Sequence, residues 1–249
     1  MVKGRQVVAS FTRKVPIVAR VDAIPTSRYS WTMSPRSVGR SSPVGARNKL
    51  LDAAVAVVRE RGYAATTVDV LCARAGVTKG AFFHHFPSKD SLALAAMSHW
   101  IEMSDAFFAA APYQQIADPL ERVLAYLDFR KLLLRGAVAE FACLAGTLVQ
   151  ETYETHPDIR RACGESIGGH AAQVAVDIAA AMKQYGVRTT WTAESLALHM
   201  QAVLQGAFIL AKAKGEARVA EESIDHLRRY VELLFRSWRQ KSLESGGSG

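Results

Sequence analysis

The chain has 249 residues, 49% of them hydrophobic and 22% charged, with 31 Lys and Arg against 23 Asp and Glu for a net charge of +8. This composition excludes a disordered or collagen-like chain and supplies the core of one or two domains. Cys72, Cys143 and Cys163 are too few and too scattered for a disulfide framework or a cysteine zinc site, which points to a reducing compartment. No apolar run approaches the roughly 20 residues of a bilayer span, and no signal-peptide core opens the chain. A cytoplasmic protein without membrane contact is expected. Charge is uneven along the chain: residues 1–45 carry +7, residues 46–98 carry +3 and residues 99–249 carry −2. A basic end on a slightly acidic body suits a polyanion partner met by that end.

Residues 1–45 hold four prolines, many serines and no sustained helical period, so they read as a basic, disordered arm. The same stretch fits an organelle transit peptide, or sequence upstream of a start at Met33. From Arg47 the pattern changes. Leu50, Ala54, Val57 and Val58 recur at helical spacing with Arg59, Glu60 and Arg61 on other faces, and Gly62 ends the helix. Thr67 caps a short helix over Val68 to Ala75, and Ala75-Gly76-Val77 makes a tight break. Thr78 caps a third helix, Lys79 to His85, which buries Phe82 and Phe86 and stops at Pro87. Ser88 opens a fourth helix to about Ala111. Asp118-Pro119-Leu120-Glu121 is a capping box opening a fifth, to about Arg135. A sixth helix spans Ala137 to Glu154, and Thr155-His156-Pro157-Asp158 starts a seventh that ends near Tyr185-Gly186. Helices over Ala193 to Lys214 and Glu221 to Lys241 finish the fold, before a flexible tail at 242–249. The expected fold is all-α, with about nine helices.

Two short helices joined by a Gly-containing turn make a helix-turn-helix, whose second helix enters the DNA major groove. Thr67 and Thr78 place hydroxyls and free amides at helix N-termini, where the dipole favours phosphate. Arg47, Lys79 and Lys89 add positive charge nearby. Gly80 permits close approach of a partner, and His84 faces outward. His84-His85 lacks the further ligands of a metal site, so no metal and no cofactor are expected.

The residues that follow one another here are Leu51-Asp52-Ala53-Ala54, Arg61-Gly62-Tyr63, Thr66-Thr67-Val68 and the run from Ala75 to Lys89. Together they resemble the DNA-binding domain of the TetR family of bacterial transcriptional regulators over residues 47 to 97. The resemblance implies a DNA-binding domain at 46–95 and a helical effector-binding and dimerisation domain at 96–241. It also implies that Thr67, Thr78, Lys79, His84 and Lys89 face double-stranded DNA, with Gly80 and Phe83 in the recognition helix. The family often has Tyr where this chain has Phe83, and Phe cannot donate a hydroxyl hydrogen bond to phosphate.

The last two helices carry apolar seams, Leu196, Met200, Val203, Ala207 and Leu210 on one and Ile224, Leu227, Val231, Leu234 and Trp238 on the other. The resemblance implies that these helices pair with a second copy. Burial inside the monomer accounts for the same spacing. A homodimer would read a palindromic operator with half-sites about 34–36 Å apart, one DNA turn, or at a related spacing. The intervening helices would enclose an effector pocket, with Trp100, Met103, Phe107, Phe141, Cys143, Leu148, His170, Val174 and Met182 as candidate lining residues. Since no Lys or Arg cluster marks the sequence, a largely apolar effector is expected. Cys143 has no cationic neighbour within one turn and reads as structural rather than as a redox sensor.

An enzyme is not expected. There is no phosphate-binding loop, nucleophile elbow or His-Glu-x-x-His helix; Gly164 to Gly169 follows no strand, and Glu140 and Glu151 have no partner His between them. The reading is a repressor released by ligand, or alternatively a helical small-molecule-binding protein without DNA binding.

Overall fold

The computed structural model describes residues 45–246, with side chains as far as Arg239. The arm at 1–44 and residues 247–249 lie outside the described residues. Ten α-helices follow in order: α1 (Ala46–Arg61), α2 (Val68–Ala75), α3 (Lys79–His85), α4 (Lys89–Ala109), α5 (Pro119–Leu132), α6 (Val138–Phe141), α7 (Leu144–Thr152), α8 (Pro157–Gln184), α9 (Ala193–Lys214) and α10 (Arg218–Gly246). A 3₁₀ turn at Pro112–Gln115 leads into α5, and no strand occurs among the described residues.

Local signals set the first four helices. Gly62 ends α1 at φ 83° and ψ 172°, a region open essentially to glycine alone. The Thr67 hydroxyl accepts the Val70 N–H at 3.2 Å, and the Thr78 hydroxyl accepts that of Ala81 at 3.1 Å. Gly76, at φ 62°, turns the chain between α2 and α3. Ser88 and Ser91 close a reciprocal box at the start of α4. Leu50, Leu71, Phe82, Leu92 and Met97 are fully buried, so α1 to α4 share one core, which Leu144, Leu148 and Ile159 of α7 and α8 extend.

Three boundaries correct the sequence reading. The helix expected over 137–154 breaks at Ala142-Cys143, whose backbone is extended, giving α6 and α7 and ten α-helices among the described residues. Thr155 does not cap α8. His156 holds the cap position, and the Thr155 hydroxyl pairs with its Nδ1 at 2.7 Å. The last helix begins at Arg218 rather than Glu221 and continues to Gly246, so most of the expected tail is helical.

The two final helices pack together through Leu196, Met200, Ala207, Ile224, Leu227, Val231 and Phe235, all buried. Ion pairs Lys131–Asp225 (2.7 Å), Arg228–Asp128 (2.9 Å) and Arg239–Glu121 (2.6 Å) tie α10 to α5. By length and composition α9 could cross a membrane, which corrects the expectation that no run approached that span. It is also a helix of the bundle core, with Met200, Leu204 and Ala211 fully enclosed and Gln201 buried beside them.

Candidate functional site

The α2-turn-α3 unit presents one face outward. Phe82 and Phe86 point into the core, while Thr78, Lys79, Gly80, Phe83 and His84 are exposed, Phe83 to 55%. A Cβ added at Gly80 would meet only the Thr78 hydroxyl, at 3.8 Å, so the fold does not demand glycine there. Glycine in a helix nonetheless costs about 1 kcal/mol relative to alanine. What it leaves is a backbone that an external partner can approach.

The cations expected beside this face are partly engaged. Lys79 pairs with Asp69 at 2.7 Å, joining the starts of α3 and α2, and both groups are well exposed. Lys89 donates to the Tyr63 carbonyl at 3.1 Å and lies 4.0 Å from the centre of that ring. The Arg47 guanidinium sits 5.6 Å over Phe86. His84 and His85 stack edge to face at 4.8 Å, and no cluster of potential metal ligands occurs among the described residues.

A second feature is a cavity of about 110 Å³ between α4, α5, α6, α8 and α9. A single water needs roughly 10–15 Å³ by the same measure, so the space holds several waters or a small organic molecule. Of the candidate lining residues, Trp100, Phe141, Cys143 and His170 reach it. Met103, Phe107, Leu148, Val174 and Met182 do not line it. Leu148 belongs to the core against α1 and α4, with Met103 packed at its edge; Val174 lies beside a smaller cleft; Phe107 packs on Phe129 at 5.6 Å.

The lining holds cations that the sequence did not bring together. Arg59 of α1 and Arg130 of α5, distant in sequence, meet the same cavity, together with Gln201 and Gln205 of α9. Arg130 lies over Phe108, Tyr126 and Phe208 at 5.3 to 5.9 Å. Gln201 donates to the Tyr126 hydroxyl at 3.3 Å, which leaves the hydroxyl proton for His170 Nε2 at 2.9 Å. Burial, with the nearby Arg130 charge, lowers the His170 pKa to about 3, so the ring is neutral at ordinary pH.

Arg59 was read as part of a polar face and is instead 6% exposed. The signal was present: Leu51, Val55 and Arg59 stand four apart on one buried stripe. Its Nε donates to the Ala142 carbonyl at 2.7 Å, its Nη2 donates to the Glu140 carbonyl, and its guanidinium lies 5.1 Å over Trp100. These are carbonyls that the break between α6 and α7 leaves without helical partners. Burial lowers the Arg59 pKa to about 10, and the group stays charged at neutral pH. Glu151 of α7 makes a second link, accepting the Tyr63 and Ala64 N–H groups at 3.1 and 2.8 Å. Cys143 has Arg59 and Lys212 as cationic neighbours from other helices, which its flanking sequence did not show, and its sulfur accepts the Gly146 N–H at 3.5 Å at the start of α7.

The seams on α9 and α10 are mostly internal. Met200, Ala207, Leu227 and Val231 are buried within the protomer, so they cannot meet a partner. Val203, Leu234 and Trp238 are half-buried. Leu210 is exposed, as are Leu198, Ile209, Tyr230 and Leu233, which the spacing did not single out.

Fold and site together define the class: a helix-turn-helix protein with an appended helical domain enclosing a cavity. Residues 50–96 match the model for bacterial regulatory proteins of the tetR family, and residues 119–227 match the tetracyclin repressor-like C-terminal domain. The chain belongs to the TetR family of transcriptional regulators. It is 32% identical over 87 residues to the HTH-type transcriptional repressor KstR2 of Mycolicibacterium smegmatis, covering 33% of this chain and 40% of that protein. It is 30% identical over 138 residues to the transcriptional regulator AcuR of Cereibacter sphaeroides, covering 51% and 61%. The chain thus spans less than two thirds of the length of these curated relatives. A TetR-family regulator from Agrobacterium tumefaciens shares the fold with a TM-score of 0.67 at 20% identity, over 74% of this chain and 96% of that one.

Proposed function

We propose that this chain is a homodimeric cytoplasmic repressor that reads a palindromic operator in double-stranded DNA and is released by a small-molecule effector. The observation that carries this reading is α3, a seven-residue helix with Phe82 locked in the core and Gly80, Phe83 and His84 turned outward from a Thr78-capped start. Thr78, Lys79, Gly80, Phe83 and His84 are assigned to the groove and its walls, and Arg47, Thr67 and Lys89 to the flanking phosphates.

So short a helix reaches few base edges, which favours two copies on a two-fold axis. The occupant assigned to Leu198, Ile209, Leu210, Tyr230 and Leu233 is a second copy, because these are the large apolar side chains that α9 and α10 leave exposed. Leu210 keeps its place in that interface; the four buried seam residues leave it.

The cavity is assigned to the effector. A ligand with unequal affinity for two arrangements of the helices shifts the recognition-helix spacing, and a coupling of about 1–3 kcal/mol weakens DNA binding roughly 5- to 150-fold. The test is selection of fragmented genomic DNA at near-physiological salt, followed by sequencing. Enrichment of one palindromic site supports the reading. Absence of any preferred site, from a folded dimer freed of ligand by unfolding and refolding, overturns it in favour of a helical small-molecule-binding protein.

A further inference from the structure

The cavity is lined by a cation that makes no ion pair among the described residues. Arg130 carries five N–H donors on a planar guanidinium. Among the described residues its guanidinium lies over the rings of Phe108, Tyr126 and Phe208. The other described arginines of the helical core are answered: Arg122 by Asp177 and the Ile116 carbonyl, Arg228 by Asp128 and Glu232, and Arg59 by two carbonyls. The Arg130 side chain makes no ion pair and donates no hydrogen bond among the described residues, although it faces a cavity that also holds polar side chains. The two acids on the cavity wall are placed otherwise: Asp105 accepts from Gln173 at 3.2 Å, and Glu165 is exposed.

The guanidinium carbon lies over three aromatic rings, and the side-chain N–H groups have no acceptor among the described residues. A planar fork of this kind matches a carboxylate in two parallel hydrogen bonds. His170 stands against the same rings, 4.6 Å from Phe108 and 5.7 Å from Tyr126. With its Nε2 accepting from Tyr126, the neutral ring keeps its proton on Nδ1 as a further donor. Trp100, Phe141 and Phe208 supply apolar wall for a small hydrocarbon or aromatic body.

We propose that the cavity binds a small organic carboxylate, its carboxylate group held by the Arg130 guanidinium and its apolar body packed against Trp100, Phe141 and Phe208. The inference rests on the effector reading for its regulatory consequence, but not for the binding itself.

The experiment is calorimetric titration of the full chain with matched pairs that differ only in charge, benzoate against benzamide and butyrate against butyramide. The expected result is that at least one acid binds about tenfold or more tightly than its amide, as for hydrogen bonds to a charged group. Arg130→Gln then brings acid and amide within about threefold of each other while the circular dichroism spectrum is unchanged. If Arg130→Gln does not fold, Arg130→Lys, which keeps the charge and loses the fork, serves instead and weakens the acid about tenfold. Equal binding of acid and amide overturns the proposal, as does absence of binding by every acid, or a preference for the acid that survives substitution of Arg130. Adding the same acids to the protein on its selected DNA separates the two readings. An acid that binds through Arg130 and leaves DNA affinity unchanged upholds the site and refutes the effector role.

Discussion

Replacing Arg59 with methionine keeps the volume and removes the donors. The structure gives the magnitude. Two hydrogen bonds from a charged donor, to the Ala142 and Glu140 carbonyls, amount to about 3–6 kcal/mol before compensation. Removing a buried guanidinium returns part of that, because keeping its charge out of water costs several kcal/mol. The net expectation is a loss of about 2–4 kcal/mol, the carbonyls at the α6–α7 break being left without donors in a buried setting. At this chain length that lowers Tm by roughly 5–15 °C. Arg59→Lys loses nearly as much, since one ammonium cannot serve both carbonyls along the directions that Nε and Nη2 take. Urea unfolding followed by circular dichroism measures both variants. A loss under about 0.5 kcal/mol for Arg59→Met would refute the reasoning, because it would mean that water satisfies those carbonyls and the guanidinium is not what stabilises the break.

The neutral His170 gives a pH signature. Its folded pKa of about 3 lies below the ordinary 6.5, so the unfolded state binds the extra proton and stability falls as pH drops from 6.5 toward 3; His170→Gln flattens the unfolding midpoint over that window, and an unchanged profile would refute the assignment. Gly62→Ala forces a side chain to φ 83° and sets its Cβ 2.0 Å from the Glu151 carboxylate, so a loss of about 2–4 kcal/mol is expected in urea, against none if the turn re-forms around the methyl group. Phe83→Tyr restores a hydroxyl to the exposed face of α3, and DNA affinity in a gel-shift titration should rise about three- to tenfold; no change would place Phe83 away from the phosphates. Leu233→Arg puts a charge between Arg229 and Arg236 on the exposed face of α10, and sedimentation should show monomer together with loss of operator binding, whereas an intact dimer would move the interface elsewhere.

The helices of the DNA-binding domain were legible because the devices that bound them are local. Thr67 and Thr78 cap within three residues of themselves, Gly62 and Gly76 turn the chain where they stand, and Pro87 stops α3 directly. The break at Ala142-Cys143 was not legible, because Arg59 stabilises it from a helix far upstream. The cavity was legible only in part, for a related reason. Apolar spacing on a helix reports a face hidden from water, and it does so equally for Trp100, which lines the space, and Leu148, which fills the core beside it. The seams on α9 and α10 show the same limit: Met200 and Val231 were correctly placed on hidden faces, but spacing does not say whether the covering side chain belongs to the same protomer.

The links that Glu151 and Arg59 make between the α1 region and the helical domain differ in kind, and the difference bears on how a ligand could act. Glu151 holds the loop after α1 through the Tyr63 and Ala64 amides and lies outside the cavity, so it fixes the domain whether or not the cavity is filled. Arg59 is the residue of α1 to α3 that lines the cavity, and it holds the α6–α7 carbonyls at the same time. An anion bound near it competes with those carbonyls for its N–H groups, while a ligand that touches only the far wall does not. Since a ligand with equal affinity for two states shifts neither, a ligand acting as the proposed effector has to change what Arg59 holds or how α4 packs beside it. Arg59→Met therefore separates stability from signalling. Its protein should bind DNA within about threefold of the parent, and ligands that act through Arg59 should lose most of their 5- to 150-fold effect, roughly the span of a 1–3 kcal/mol coupling. Retention of the full ligand response in that variant would assign the signal to α4 alone.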